Sequence, residues 1–326
     1  MKSIIAKILT VLILVSIFVC SVSCSFETST AQGTNDSKDT TKTNASYDDE
    51  TTEKTNTEET NTEETTQPQN DEKDPIVFEE MIAVENEECV IKITQIDPEN
   101  MWGVTLKLQL ENKSADKTYM FSVQSAAING VQCDPFFASE VTAGKKANEE
   151  IRFSNSKLEE NKIEKCTDIE LTFRVYDSND WSAGEVAIET IHVYPYGEDK
   201  ASQFVRESQP SDNVIVDNEY VTVIVTGYEN DSIWGYTVNL FLLNKTDKTV
   251  MFSVDDASVN GYMIDPFYAK SVLAGKCAFS SMSWSDSKLE KNGITEVEEI
   301  EFRIRAHNND NWQDDDFENK VITLKP

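Results

Sequence analysis

The chain has 326 residues, and its 59 Asp and Glu against 29 Lys and Arg set a formal charge of −30. That length supports two domains of ordinary size, each with its own core. A field of this sign repels phosphate backbones and anionic surfaces, which excludes nucleic-acid binding and favours cationic partners.

Lys2 and Lys7 precede an apolar run from Ile8 to Cys20. At about 1.5 Å per residue the run is too short for a hydrocarbon core of about 30 Å. A basic start, a short apolar stretch and small residues predict a secretory signal peptide over residues 1–23. Ser21-Val22-Ser23 before Cys24 resembles a bacterial lipobox. The resemblance implies diacylation of Cys24 and anchoring to the outer, extracytoplasmic face of the cell membrane. Ser21 stands where a lipobox usually carries Leu, and a Ser-x-Ser end also suits ordinary signal peptidase. Lipidation and release are therefore both open, with lipidation the expectation.

Residues 24–74 change character. Thr-Asn-Thr-Glu-Glu repeats at 55–59 and 60–64, and from Ser25 to Pro75 there are 14 acidic and 4 basic residues. So little apolar surface cannot offset the entropy of ordering, which predicts a disordered, self-repelling tether. Fully stretched it reaches on the order of 170 Å, at roughly 3.4 Å per residue.

The remainder is spelled twice. Asp116-Lys117-Thr118, Met120-Phe121-Ser122-Val123, Asn129-Gly130 and Asp134-Pro135-Phe136 return 131 residues later as Asp247-Lys248-Thr249, Met251-Phe252-Ser253-Val254, Asn260-Gly261 and Asp265-Pro266-Phe267. Asn-Gly between strand-like runs predicts a β-hairpin in each copy. Upstream, Val104, Leu106, Leu108 and Leu110 alternate with polar residues, as do Tyr236, Val238, Leu240 and Leu242 in the second copy. That period of two marks strands with one buried face. Ser156-Lys157-Leu158-Glu159 and Ser287-Lys288-Leu289-Glu290 predict one or two helical turns. About seven strands in each copy predict an all-β fold of two tandem immunoglobulin-like antiparallel β-sandwiches. The first sandwich is expected over residues 75–197 and the second over 211–326, where the chain ends as its last strand closes. A polar linker over 198–210 is expected to let them move. The tether and the repeated Met-Phe-Ser-Val, Asn-Gly, Asp-Pro-Phe, Ala-Gly-Lys and Ser-x-Lys-Leu-Glu units resemble surface lipoproteins of Gram-positive, clostridia-type bacteria. Those carry immunoglobulin-like domains of unknown function, so the resemblance implies location and fold but no catalytic residues.

Duplication also tests for chemistry, because a site inherited from one ancestral domain tends to persist in both copies. Cys89, Cys133 and Cys166 correspond to Val221, Ile264 and Val297, as buried thiols acting as small hydrophobes would. Free thiols are expected, with Cys89–Cys166 or Cys133–Cys166 pairing left open, and no spacing suits zinc. His192 and His307 face Thr323 and Tyr176, so no catalytic histidine is shared. Asp134/Asp265 and Asp116/Asp247 persist at turns, where Asp binds its own backbone. Asp177, Asp180, Asp310 and Asp314 lie on oxygen-rich loops and are weak calcium candidates, though neither loop matches a defined calcium site. Asn112-Lys-Ser and Asn244-Lys-Thr read as glycosylation sequons but are taken as turns.

The aromatics Phe136, Phe137, Phe267, Tyr268, Trp181 and Trp312 are the candidate ligand contacts. The composite expectation is a non-catalytic module with a monomeric head and no cofactor, held at the membrane by a lipid anchor and binding a protein or cell-wall ligand. A structural accessory of another envelope complex is the alternative. A hydrolase using paired carboxylates such as Asp134 and Asp265 is the least favoured reading.

Overall fold

The computed structural model describes residues 74–180 and 182–326, all within one compact unit, Gln69–Pro326. The signal peptide with Cys24, nearly all of the tether and Trp181 lie outside the described residues.

The first copy contains strands β1 (Met81–Glu85), β2 (Cys89–Asp97), β3 (Gly103–Asn112), β4 (Tyr119–Ile128), β5 (Val131–Gln132), β6 (Ala138–Val141) and β7 (Lys146–Ser154). Helix α1 (Asn155–Glu160) and strands β8 (Ile169–Asp177) and β9 (Glu185–Val193) complete it. The second copy repeats this as β10 (Asn213–Asp217), β11 (Val221–Ser232), β12 (Gly235–Asn244), β13 (Val250–Val259), β14 (Tyr262–Met263), β15 (Ala269–Val272), β16 (Cys277–Trp284), α2 (Asp286–Lys291), β17 (Ile300–Asn308) and β18 (Glu318–Leu324). The fold is all-β, with antiparallel pairing within each copy. Of the nine strands in each copy, two are short (β5 and β6, β14 and β15), and the other seven match the expected number.

In the first copy the sheet β1-β2-β3-β7 faces a second sheet built on β4, β8 and β9. Their inner faces share one core, with Ile91, Ile93, Leu106 and Leu108 from the first sheet and Phe121, Leu171 and Phe173 from the second. The second copy builds the same core from Val223, Val225, Val238, Leu240, Phe252, Phe302 and Ile304. Burying each such side chain contributes about 1.5–3 kcal/mol. Even the ladder irregularities recur, between Ile82 and Val84 as between Val214 and Val216, and between Ile93 and Gln95 as between Val225 and Gly227.

The repeated asparagines explain why so much polar sequence is kept. Asn112 and Asn244 are buried. Asn112 Nδ2 donates to the carbonyls of Lys117 and Val141 at 2.8 Å, while its Oδ1 accepts from Ser114 N at 2.9 Å. Asn244 does the same for Lys248, Val272 and Thr246. These side chains stitch the loop before β4 or β13 to β6 or β15, and buried amides cannot receive a glycan. Asn129 (φ 52°) and Gly130 (φ 81°) form a turn with two positive φ angles, as do Asn260 and Gly261 at 48° and 81°. The Asn129 side chain also accepts from Thr167 N and Asp168 N and donates to the Lys165 carbonyl, holding the loop that precedes β8.

The linker differs from its expectation. Instead of a loose connection, Phe204 donates its N–H to the Asn129 carbonyl at 2.7 Å and sets its ring edge-on to Phe279. Arg206 forms two hydrogen bonds to Asp212, at 2.6 and 2.5 Å, and lies over the Phe241 ring. Strand β16 then meets β5 in parallel, with Cys277 opposite Val131 and Cys277 N donating to the Gly130 carbonyl at 3.1 Å. One continuous nine-stranded sheet thereby runs through both copies. Phe241 and Cys277, although in the second copy, belong to the first copy's core cluster. Composition marked the linker as polar, but Phe204 against Phe279 and Arg206 over Phe241 hold it to the second copy.

Candidate functional site

Each sandwich ends in an exposed apolar tip, and the local sequence builds it the same way twice. The turn from β2 to β3 carries Met101-Trp102 and the turn from β11 to β12 carries Ile233-Trp234. Gly103 follows at φ 116° and Gly235 at φ 90°. A Cβ there would stand 2.0 Å from the Phe153 carbonyl oxygen or 2.2 Å from that of Trp284. Only glycine lets β3 and β12 start this close to β7 and β16, and the preceding tryptophan is thrown outward. The turns are braced by side chains. Trp102 N donates to Asn100 Oδ1, Asn155 Nδ2 donates to the Met101 carbonyl, and Trp234 N donates to Ser232 Oγ. Trp102 is 62% and Trp234 71% exposed.

The Asp-Pro-Phe exits of the hairpins add to this end. Phe136 is 100% and Phe267 93% exposed, while the next residue turns inward in both copies. Phe137 is buried and Tyr268 packs against its core. Backbone alternation therefore splits the four candidate aromatics into two exposed residues and two that face the core. In the second copy Phe267 N donates to the Ser283 carbonyl at 3.0 Å, and Ser283 pairs with Thr237, two residues beyond Gly235. Phe267 thus lies at the Trp234 end. Trp312, also exposed, follows β17 at the opposite end, where Asn308 pairs with Val250. It does not join the same face. Trp102 and Trp234 recur in the sequence as loop-edge aromatics able to form a binding face, and the exposed Met101 and Ile233 beside them are what sequence reasoning left out. Their repetition just before a duplicated glycine was the available signal.

The carboxylates do not assemble a centre. Asp134 accepts from Ala126 N at 2.8 Å and Gln132 Nε2 at 2.9 Å, which fixes the hairpin exit. Asp265 is its counterpart in the other sandwich, exposed beside α2, with Lys288 donating to its backbone carbonyl. Asp177 accepts from Asn179 N, and Asp180 from Ser182 N and Oγ, bonds that hold the Asp180 carboxyl below its ordinary pKa. Asp314 accepts amide protons from Asn308 and Asn311, and Asp310 accepts from Asn309. Oxygens facing N–H donors in this way are caps of their own loops. Among the described residues no three His, Cys, Asp or Glu side chains are grouped to hold a metal ion.

All four described cysteines are free and buried. Burial pushes the Cys89 and Cys133 thiols up to about 11 and those of Cys166 and Cys277 to about 12. Such thiols stay protonated at neutral pH and offer no thiolate nucleophile. His192 has a role that its sequence context did not announce. Its Nδ1 lies 2.7 Å from Asp168 and its Nε2 3.4 Å from Glu170, and its ring stacks on Tyr194. Glu170 also receives Lys276 of the second copy at 2.6 Å. The group is an ionic clasp across the junction, with carboxylates rather than a nucleophile around the imidazole. Beside it, between the copies, is an open cleft of about 920 Å³ lined by Asp134, Lys157, Asn161, Arg206, Asn239 and Phe279.

No family model matches the chain, and no curated protein matches it. Among solved structures it is similar to red sea bream transglutaminase, with 10% identity, a TM-score of 0.24, and 74% of this chain and 31% of that one covered. For the exo-chitosanase CsxA of Amycolatopsis orientalis the identity is 13% and the TM-score 0.23, over 74% of this chain and 27% of the other. For the YadV chaperone the identity is 12% and the TM-score 0.21, over 73% of this chain and 100% of that chain. The chain thus spans about a third or less of the first two, 31% and 27%.

Proposed function

We propose that this chain is a lipid-anchored, extracytoplasmic lipoprotein that acts as a non-catalytic binding or adhesion module for a protein or cell-envelope ligand. The observation that carries the reading is the duplicated tip, Met101-Trp102 with Phe136 and Ile233-Trp234 with Phe267, kept exposed in both copies. Tryptophan, methionine and phenylalanine held on braced turns have the composition of interface anchors. Leaving them in water has no structural benefit, since Gly103 and Gly235 already satisfy the turns. The lipobox-like Ser21-Val22-Ser23-Cys24 and the tether support placement of the head away from the outer membrane face.

Residues 75–326 applied to a glycan array and to purified envelope proteins should give saturable binding. Trp102→Ala with Trp234→Ala should reduce it at least tenfold while shifting stability by no more than about 0.5 kcal/mol, as for other surface substitutions. Binding unaffected by both substitutions, or no binding across envelope components, would sink the reading.

A further inference from the structure

The two hairpins are alike in sequence and opposite in use. In the first copy the edge Gly130-Val131-Gln132 is buried because it receives the second copy. The Gly130 carbonyl accepts from Cys277 N, Gln132 Oε1 accepts from Leu273 N at 3.0 Å, and Glu170 takes Lys276. The equivalent edge of the second copy is Gly261-Tyr262-Met263, with Glu301 in the place of Glu170. Here Tyr262 is 51% and Met263 70% exposed.

Exposed edges are normally blunted with charge, proline or a bulge. The chain shows this on the surface that it leaves uncovered. The outer face of the first copy carries Lys92, Gln109, Glu111, Lys146 and Asn148 where the second copy, at its covered junction, has Ile224, Phe241, Leu243, Cys277 and Phe279. Lys146 pairs with Glu111 at 2.8 Å and Lys92 with Glu80 at 2.8 Å. The distal edge has not been treated in this way and keeps two large apolar side chains.

We infer that the distal edge of the second copy, β14 with Gly261, is a docking edge for a β-sandwich of another protein, taken head to tail as the first copy takes the second. The partner presents a strand whose outer face is apolar, with a lysine at its start to meet Glu301 as Lys276 meets Glu170. A second copy of this chain is the poorer occupant, because its corresponding face is the charged one. The edge belongs to the same hairpin whose exit carries Phe267, but it does not depend on the tips, because the occupied edge of the first copy leaves Trp102 and Phe136 exposed.

The test uses full-length chains. A probe chain carries Lys92→Ile, Gln109→Phe, Glu111→Leu, Lys146→Ala and Asn148→Phe, which give its first copy the apolar face, and Tyr262→Lys with Met263→Lys, which block its own distal edge. Sedimentation velocity should show a 1:1 complex of the probe with the wild-type chain. Tyr262→Lys with Met263→Lys in that wild-type chain should weaken the complex at least tenfold. If near-ultraviolet dichroism shows the probe misfolded, a lighter probe with only Gln109→Phe and Asn148→Phe beside the edge block replaces it. A folded probe that fails to bind, or binding indifferent to the lysines, overturns the inference. Wild-type chains that associate through Tyr262 and Met263 more tightly than they bind the probe overturn the choice of partner.

Discussion

The outer face of the β2-β3-β7 sheet and that of the β11-β12-β16 sheet began as the same surface. In the first copy that face meets water and reads Lys92, Gln109, Glu111 and Asn148. In the second copy it meets Phe204 and the first copy's hairpin, and reads Ile224, Phe241, Leu243 and Phe279. The inner faces have meanwhile stayed apolar in both. One protein thus contains its own control experiment. Inner positions report what a sandwich requires to fold, and outer positions report what each copy touches. A head-to-tail contact that never closes would build filaments, and the charged outer face of the first copy disfavours that contact between two chains of this protein.

The most forceful way to break the comparison is to give the second copy the first copy's residues. Phe241→Gln with Phe279→Asn should remove about 4 kcal/mol from the junction, on the scale of losing buried aromatic side chains. Calorimetry should then resolve two transitions in place of one, and small-angle scattering should show a broadened distance distribution. A single unchanged transition would mean that the copies are coupled by something other than this face.

A substitution that both copies should feel equally comes next. Asn112→Ala removes bonds to two carbonyls and one N–H of a buried loop, and Asn244→Ala removes those to three carbonyls and to Thr246 N and Oγ1, at a cost of about 3 kcal/mol each. Thermal melts of the two variants should show similar losses. Unequal losses would show that the extra Asn244 bonds to the Leu273 carbonyl and Thr246 Oγ1 set the two loops apart in energy.

Lys276→Ala should act on the junction alone and more weakly, by about 1–2 kcal/mol, because the Lys276–Glu170 pair is mostly but not fully withdrawn from water. The loss should shrink in high salt. The Lys276 loss and that of Phe241→Gln should not add, since both act through one contact.

The smallest effect concerns the linker in acid. Arg206 beside Asp212 holds that carboxyl down to about 2, below its ordinary 3.8. A carboxyl depressed by folding stabilises the fold above its unfolded pKa and loses that contribution as pH falls through the folded value. The linker should therefore loosen between about pH 4 and pH 2. Asp212→Asn should flatten the stability profile over that window, read by tyrosine and tryptophan fluorescence. Asp74, held to about 2 by Lys165 and Lys200, titrates over the same range, so Asp74→Asn is the matching control for the first copy.

Much of the architecture was legible in the residues alone. Alternation at Val104 to Leu110, the Asn-Gly turns and the unbroken correspondence of the two copies determine strands, hairpins and duplication, because these are local properties of backbone sterics and of a two-residue period. Which member of Phe136-Phe137 faces water also follows from local alternation, once the strand phase is known. What the sequence did not determine is the fate of surfaces whose partner is far along the chain. A phenylalanine at 204 in a polar linker, the apolar outer residues of β12 and β16, and a histidine between two carboxylates acquire meaning only when Gly130 meets Cys277, 147 residues away. Local propensity sets the elements. The burial of one copy's edge by the other is set by tertiary packing, which decides that equivalent hairpins become a joint in one place and an exposed edge in the other.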